Sequence, residues 1–341
     1  MLFHFKNLFQ KAVILLSVSV LIYSCNTSTN SEQTTEQAIK LATAPAFNAD
    51  SAYSFIQKQV DFGPRVPNSM AHVKCGDYLV ATLKKLGLEV TEQNFTATTY
   101  DNHKLKARNI IGSFNPSASK RILLASHWDS RPYSDQDSVS KDKPVVAAND
   151  GASGVGVLLE IARTLSSLQT KPDIGVDIIF FDAEDWGSSN GEAKDKFSGY
   201  CLGSQYWAAN KHVPGYTAYF GVLLDMVGAK NATFLKEGYS VDLAGGVVKT
   251  VWDLAAQLGY SNYFVDKRGS AITDDHVPVN ETAKIPMIDI IHTNADNIAN
   301  TFFKDWHTTH DTMENIDPKT LKAVGQTLIQ VLFQEAQPEV M

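Results

Sequence analysis

The chain has 341 residues, 44% of them hydrophobic, with a formal net charge of −7 and a pI near 5.7. That length suits one large α/β domain or two small ones, with enough apolar residues for a sizeable core. The acidic balance argues against a nucleic-acid-binding protein.

Residues 1–25 read as a targeting segment rather than part of the fold. Lys6 and Lys11 precede an apolar run from Ala12 to Tyr23, which is shorter than a comfortable membrane span and fits a signal-peptide core. The run ends Ile22-Tyr23-Ser24-Cys25. A small residue before Cys is similar to a bacterial lipoprotein processing site, with Cys25 as the lipidated N-terminus, although Tyr23 departs from the small residue usual there. Residues 26–46 are expected to form a tether, since Asn26 to Gln37 is rich in Ser, Thr, Asn and Gln. One α/β domain is expected over 47–341, outside the cytoplasm on the periplasmic side of a bacterial membrane. Beyond Cys25, the cysteines are Cys75 and Cys201. Their spacing offers no zinc-ligand pattern, so a metal site must draw on His and carboxylates.

The pattern predicts a first helix over Asn48–Val60, capped by Asn48 or Asp50, and a second from an Asn68 cap to Leu86, stopped by Gly87. Two strands follow, Glu89–Thr98 and Leu105–Ser113, the first alternating as an edge strand does. Arg121–Ser126 is a buried strand running into His127-Trp128-Asp129-Ser130, followed by a polar loop from Arg131 to Lys143. Asp150 stands just before a helix that begins near Val155, a position that also suits an N-cap. Ile174–Phe181, dense in β-branched and aromatic residues, is a buried strand. After it come three carboxylates in four residues: Asp182, Glu184 and Asp185. If the extended backbone persists, Glu184 and Asp185 point to opposite sides. Leu202–Lys211 reads as a helix and Ala218–Val227 as a strand, with Asp225 inside its apolar run. A lone Asp there is costly unless paired or metal-bound. Ser240–Leu258 is a helix, Ile285–Ile291 a strand and Pro318–Gln334 a closing helix.

Strands alternating with helices predict a three-layer α/β sandwich with a mixed, mainly parallel central sheet. In such sheets, sites gather beyond the carboxyl ends of strands. His127, Glu184, Asp185 and Asp225 fall at or just past predicted strand ends, and Asp150 and His307 join them as candidates. Oxygen and nitrogen donors without a thiolate suit a catalytic, water-accessible zinc site.

The ordered segments HWDS, NDGASG, FFDAED, LLDMVG and WHTTHDTMEN resemble the zinc aminopeptidases of the M28 class and the related glutaminyl-peptide cyclotransferases, over roughly Asp50 to Gln334. Phe62-Gly63-Pro64-Arg65, Trp186 beside the acidic pair, Asp274-Asp275-His276, and Trp306 before His307 are similar to the bacterial branch of glutaminyl cyclases related to the animal enzymes. The resemblance implies that Asp150, Asp185 and His307 bind one zinc ion and that Glu184 is general base, then acid. It implies that Asp225 and Asp275 form a hydrogen-bonded acidic pair beside Glu184, and that Trp186 and Trp306 wall the substrate pocket. The substrate would be a peptide or protein with N-terminal glutamine, taken by a monomeric, lipid-anchored enzyme. Relatives often carry two glutamates where this chain has Glu184-Asp185, so the shorter Asp185 must bring a metal closer to the backbone. In two-zinc aminopeptidases the residue matching His127 binds a second metal, with Asp150 bridging, and all those residue types are present here. Removal of N-terminal residues by an M28-like aminopeptidase therefore stands as the alternative.

Overall fold

The computed structural model describes residues 40–294 and 302–338. The expected signal segment 1–25, with Cys25, lies outside the described residues, as does most of the expected tether. The compact unit begins at Leu41. The Ala42 backbone donates to Gln334 Oε1 at 3.0 Å and accepts from Gln330 Nε2 at 2.9 Å, so residues 41–46 belong with the folded unit rather than with a tether ending at 46.

In chain order the elements are α1 (Ala49–Val60), α2 (Met70–Lys85), β1 (Glu89–Thr98), β2 (Lys104–Phe114), β3 (Arg121–His127), α3 (Ala152–Ser167), β4 (Gly175–Phe181), α4 (Leu202–Ala209), β5 (Phe220–Asp225), β6 (Phe234–Lys236), α5 (Gly238–Gln257), β7 (Phe264–Arg268), the short turn α6 (His276–Pro278), β8 (Met287–Ile291) and α7 (Pro318–Glu335). The main sheet has the order β1-β2-β4-β3-β5-β8. β4, β3, β5 and β8 run parallel, while the β1–β2 hairpin joins antiparallel at one side and leaves β1 as the expected edge. Four parallel strands therefore end on one side of the sheet.

Strand alternation builds the layers. Ile122, Leu124, Val176, Ile178, Val222 and Leu224 face a large core shared with α1, α2, α3, α5 and α7. Their neighbours Leu123, Ala125, Ile179, Phe181 and Leu223 face a second core with Trp207 and Ala208 of α4. Covering both faces explains why the parallel strands carry continuous apolar runs, and the result is the three-layer sandwich expected.

Some local readings shift by a residue. Ser69, not Asn68, caps α2 by accepting from His72 N at 3.1 Å. Asn68 sits at φ 74° and docks the helix start on β2, donating to Lys104 O and accepting from Lys106 N, both at 2.8 Å. α5 starts ahead of Ser240 because the Glu237 carboxylate takes the amides of Tyr239 at 2.8 Å and Ser240 at 2.7 Å. β6 and β7 form a small parallel sheet that the sequence pattern did not signal. Cys75 and Cys201 are both free thiols and buried.

Candidate active site

His127 ends β3, Asp225 ends β5, and Asp182 to Asp185 follow β4, so the parallel sheet delivers all of them to one edge. The extended backbone does not persist past β4. Ala183 turns into the left-handed region at φ 55°, and Glu184 and Asp185 both line the same cavity, contrary to simple alternation. Met226, Cys201 and His307 share this rare conformation at φ 51°, 61° and 55°. Such strain persists only where surrounding contacts over-determine it, and it gathers at functional sites.

Asp150 does not cap α3 with its side chain; Gly151 is the cap residue, without a side-chain bond. Gly151 has φ 97°, and a Cβ there would stand 2.8 Å from His127 Cε1. Only glycine fits, and the turn swings the Asp150 carboxylate into the site. Two buried carboxylates fix the loops beneath. Asp311 accepts from Asn149 N and Asp150 N, both at 2.9 Å. Asp129 accepts from Glu184 N at 3.1 Å and Asp185 N at 3.2 Å. Neither had been singled out from sequence, although each lies inside a segment that carried the resemblance, HWDS and WHTTHDTMEN.

Two donor triads share Asp150. His307 Nε2 lies 3.1 Å from Asp185 Oδ1 and 3.7 Å from Asp150 Oδ2. His127 Nε2 lies 3.1 Å from Asp150 Oδ1 and 3.2 Å from Asp225 Oδ1. Both triads bring their donor atoms within 4.8 Å of one another. Asp185 Oδ2, in the Asp150–Asp185–His307 triad alone, and Oδ2 of the shared Asp150 are buried without a hydrogen-bond partner. Orphaned buried carboxylate oxygens are costly, and a cation bound there would satisfy both. Two carboxylates and one imidazole with room for a further ligand match the donor set of catalytic zinc sites. Burial, then the charge of Asp185, pushes the Asp150 carboxyl up to about 6. Burial alone would depress His127, but bonds to Asp129, Asp150 and Asp225 outweigh it and hold the imidazole well above its ordinary value.

Glu184 is nine-tenths buried. Burial raises its carboxyl well above the ordinary range; Asp274, Asp185 and Asp275 add to the effect and His127 opposes it. Its Oε1 accepts from the Cys201 thiol at 3.5 Å. The structure places Asp225 and Asp275, the expected acidic pair, differently with respect to the cavity. Asp275 Oδ1 accepts from Ser204 Oγ and the residue does not line the cavity, whereas its neighbour Asp274 does, beside Glu184 and Asp225. With two adjacent aspartates at the start of α6, the sequence could not say which one faces inward.

The cavity measures about 450 Å³. Trp306 lines it, stacked 3.6 Å from the His307 ring and tilted against Phe302 at 4.7 Å, with Phe197, Tyr200 and Ile291 adding to the wall. Trp186 does not line it. Past the Ala183 turn, Trp186 packs with Ala97, Leu105 and Ala107.

The fold and this edge-of-sheet cluster define an α/β enzyme with a buried carboxylate–histidine centre. Residues 109–332 match the family model of Peptidase family M28. The chain is 52% identical to Bacteroides thetaiotaomicron glutaminyl cyclase, crystallised with N-acetylhistamine, at a TM-score of 0.82 over 85% of this chain and 99% of that one. A Zn-dependent exopeptidase from Parabacteroides distasonis is 53% identical, with a TM-score of 0.82 over 85% and 99%. The glutaminyl-peptide cyclotransferase of Gloydius blomhoffii is 29% identical over 270 residues, 71% of this chain and 69% of that protein. The chain belongs to peptidase family M28, on its glutaminyl cyclase branch.

Proposed function

We propose that this chain is a zinc-dependent glutaminyl-peptide cyclotransferase that converts the N-terminal glutamine of peptides and proteins to pyroglutamate and ammonia. The observation that carries the reading is a buried carboxylate of raised proton affinity, Glu184, set beside the Asp150–Asp185–His307 triad in a small cavity walled by Trp306. Asp150, Asp185 and His307 would hold one zinc ion, which when bound supplies a Lewis acid for the γ-carboxamide oxygen. One ion is favoured because Asp185 Oδ2, which belongs to this triad alone, is buried without a hydrogen-bond partner.

The reaction joins the α-amine nitrogen to the γ-carboxamide carbon and breaks the bond from that carbon to its own nitrogen. Glu184 accepts the proton that the amine must lose and returns it to the departing nitrogen, which leaves as ammonia. No water is consumed. The cavity's task is to hold the glutamine side chain folded back on its amine, the orientation that makes an intramolecular attack fast. Trp306 and the apolar wall enforce that fold and exclude water. Asp274, which lines the cavity with Glu184, sustains its affinity for the transferred proton.

Aminopeptidase chemistry would apply Glu184 to water, and the His127–Asp150–Asp225 triad holds the donors that a second metal would need. A paired assay decides. A short Gln-initiated peptide should lose ammonia while a Leu-initiated one stays intact; release of free Leu or Gln would refute the cyclase reading.

The proposal extends to location. Lys6, Lys11, the apolar run and Cys25 support export and lipid anchoring on the periplasmic side, with a monomeric domain outside the cytoplasm. No helix among the described residues is long and apolar enough to cross a membrane. An unprocessed N-terminus on a cytoplasmic chain would defeat this part, and light scattering of the purified protein tests the monomer.

A further inference from the structure

The loop from Arg131 to Lys143 reads in the sequence as a polar connector. In the structure it is wired into the metal triad. Arg131 is almost wholly buried. Its Nε donates to Asp135 Oδ1 at 2.7 Å and its Nη2 to Asp135 Oδ2 at 3.0 Å, a two-pronged pair. Its Nη1 reaches Asp185 O at 3.1 Å and Asp185 Oδ1 at 3.3 Å, and Nη2 also meets Gly187 O at 3.1 Å. The guanidinium thus grips a carboxylate of the triad and the backbone on either side of Trp186. Asp135 Oδ1 in turn lies 3.4 Å from His307 Nδ1, on the side of the ring away from the triad. The next residue ties the same two loops together, with Gln136 N donating to His307 O at 3.2 Å.

We propose that Arg131 and Asp135 are positioning residues for the metal centre, a single ion pair that sets both His307 and Asp185. The Asp135 carboxylate, 3.4 Å from Nδ1 and so beyond hydrogen-bond length, favours the ring proton on Nδ1 through its charge, which leaves the Nε2 lone pair facing Asp150 and Asp185. Partners behind metal-binding imidazoles act in this way and their loss weakens metal binding by about 10- to 100-fold. Arg131 holds Asp185 at the depth its short side chain requires. His307 and Asp185 lie in distant parts of the chain, so the pair couples two ligands that no local structure would align. A planar, two-pronged guanidinium suits this task and an ammonium does not.

The inference rests on the reading that Asp150, Asp185 and His307 hold zinc. The test is therefore zinc retention by the intact protein against a graded chelator, read as metal content, with catalysis measured separately. Asp135→Asn keeps the shape, and Arg131's bonds to the 185–187 backbone survive it. Arg131→Lys keeps the charge but not the fork. The control is Asp137→Asn, since Asp137 binds Thr309 N at 3.2 Å and so anchors the same two loops without touching a ligand. Asp135→Asn and Arg131→Lys should each lower zinc affinity about 10- to 100-fold and lower kcat more than they raise KM, while Asp137→Asn stays within about threefold in affinity. Wild-type protein that retains no zinc would overturn the zinc reading and this inference with it. Zinc-bound wild type with Asp135→Asn equally tight, or with Asp137→Asn equally weakened, would overturn this inference alone.

Discussion

Asp129 offers a quantitative test of how the site is held. Its two oxygens take the backbone amides of Glu184 and Asp185 at 3.1 and 3.2 Å, and the residue is fully buried. In Asp129→Asn one oxygen becomes an amide nitrogen, so one of the two N–H groups meets a donor instead of an acceptor. A bond to a charged acceptor is worth roughly 1.5–3 kcal/mol net. The loss therefore comes to about 2–3 kcal/mol, equivalent to about 30- to 150-fold. It falls on activity if the 184–185 turn relaxes away from its working geometry, and on stability if the turn stays in place. Steady-state cyclisation of a Gln-initiated peptide and urea unfolding, run on the same preparation, measure both. A variant within twofold in kcat/KM and within about 0.5 kcal/mol in stability would refute the claim that Asp129 sets the catalytic turn.

Glu184→Gln should reduce kcat by about 10²- to 10⁴-fold with thermal unfolding little changed, because a neutral amide cannot accept the amine proton; substantial residual turnover would reassign the base. Asp274→Asn should impair kcat more than Asp275→Asn, since only Asp274 faces the cavity; the reverse order, with both variants folded, would restore the family-based expectation. Glu237 should make stability depend on acid. Burial pushes its carboxyl up, but the bond from His276 and those from Ser240 outweigh it and draw it down to about 2. A folded value below the unfolded one adds stability that is complete above roughly pH 5 and is lost as pH falls toward 2, on the order of 3 kcal/mol. The gap in urea midpoint between wild type and Glu237→Gln should therefore shrink from pH 6 to pH 3, and a constant gap would contradict the assignment.

What the sequence disclosed follows from what leaves a periodic trace. The buried strands around Leu123, Ile178 and Val222 announce themselves as apolar runs, and carboxylates just past such runs point to the sheet edge. β6 and β7 leave little trace: one is three residues long, and the other, Phe264–Arg268, is exposed and charged over its last residues. Trp186 and Trp306 look alike as tryptophans beside expected metal ligands. The left-handed turn at Ala183, invisible to periodicity, sends Trp186 into a side core, while Trp306 stays on the cavity. The choice between Asp274 and Asp275 depends on the turn into α6, which no hydrophobic periodicity records. Arg131, Asp135, Asp129 and Asp311 act through contacts between loops far apart in the chain, which no local window contains.

Asp150, Asp185 and His307 also bear on how the chain is stapled. Neither Cys75 nor Cys201 is in a disulfide, so the described fold has no covalent cross-link at those thiols. An ion held by all three residues would tie the chain across two wide intervals, from Asp150 to Asp185 and from Asp185 to His307. Closing loops of that length is worth on the order of 4 kcal/mol apiece in the chain-entropy account of cross-links. The metal that serves the reaction would then double as the molecule's rivet, and a chelator would take away shape as well as chemistry.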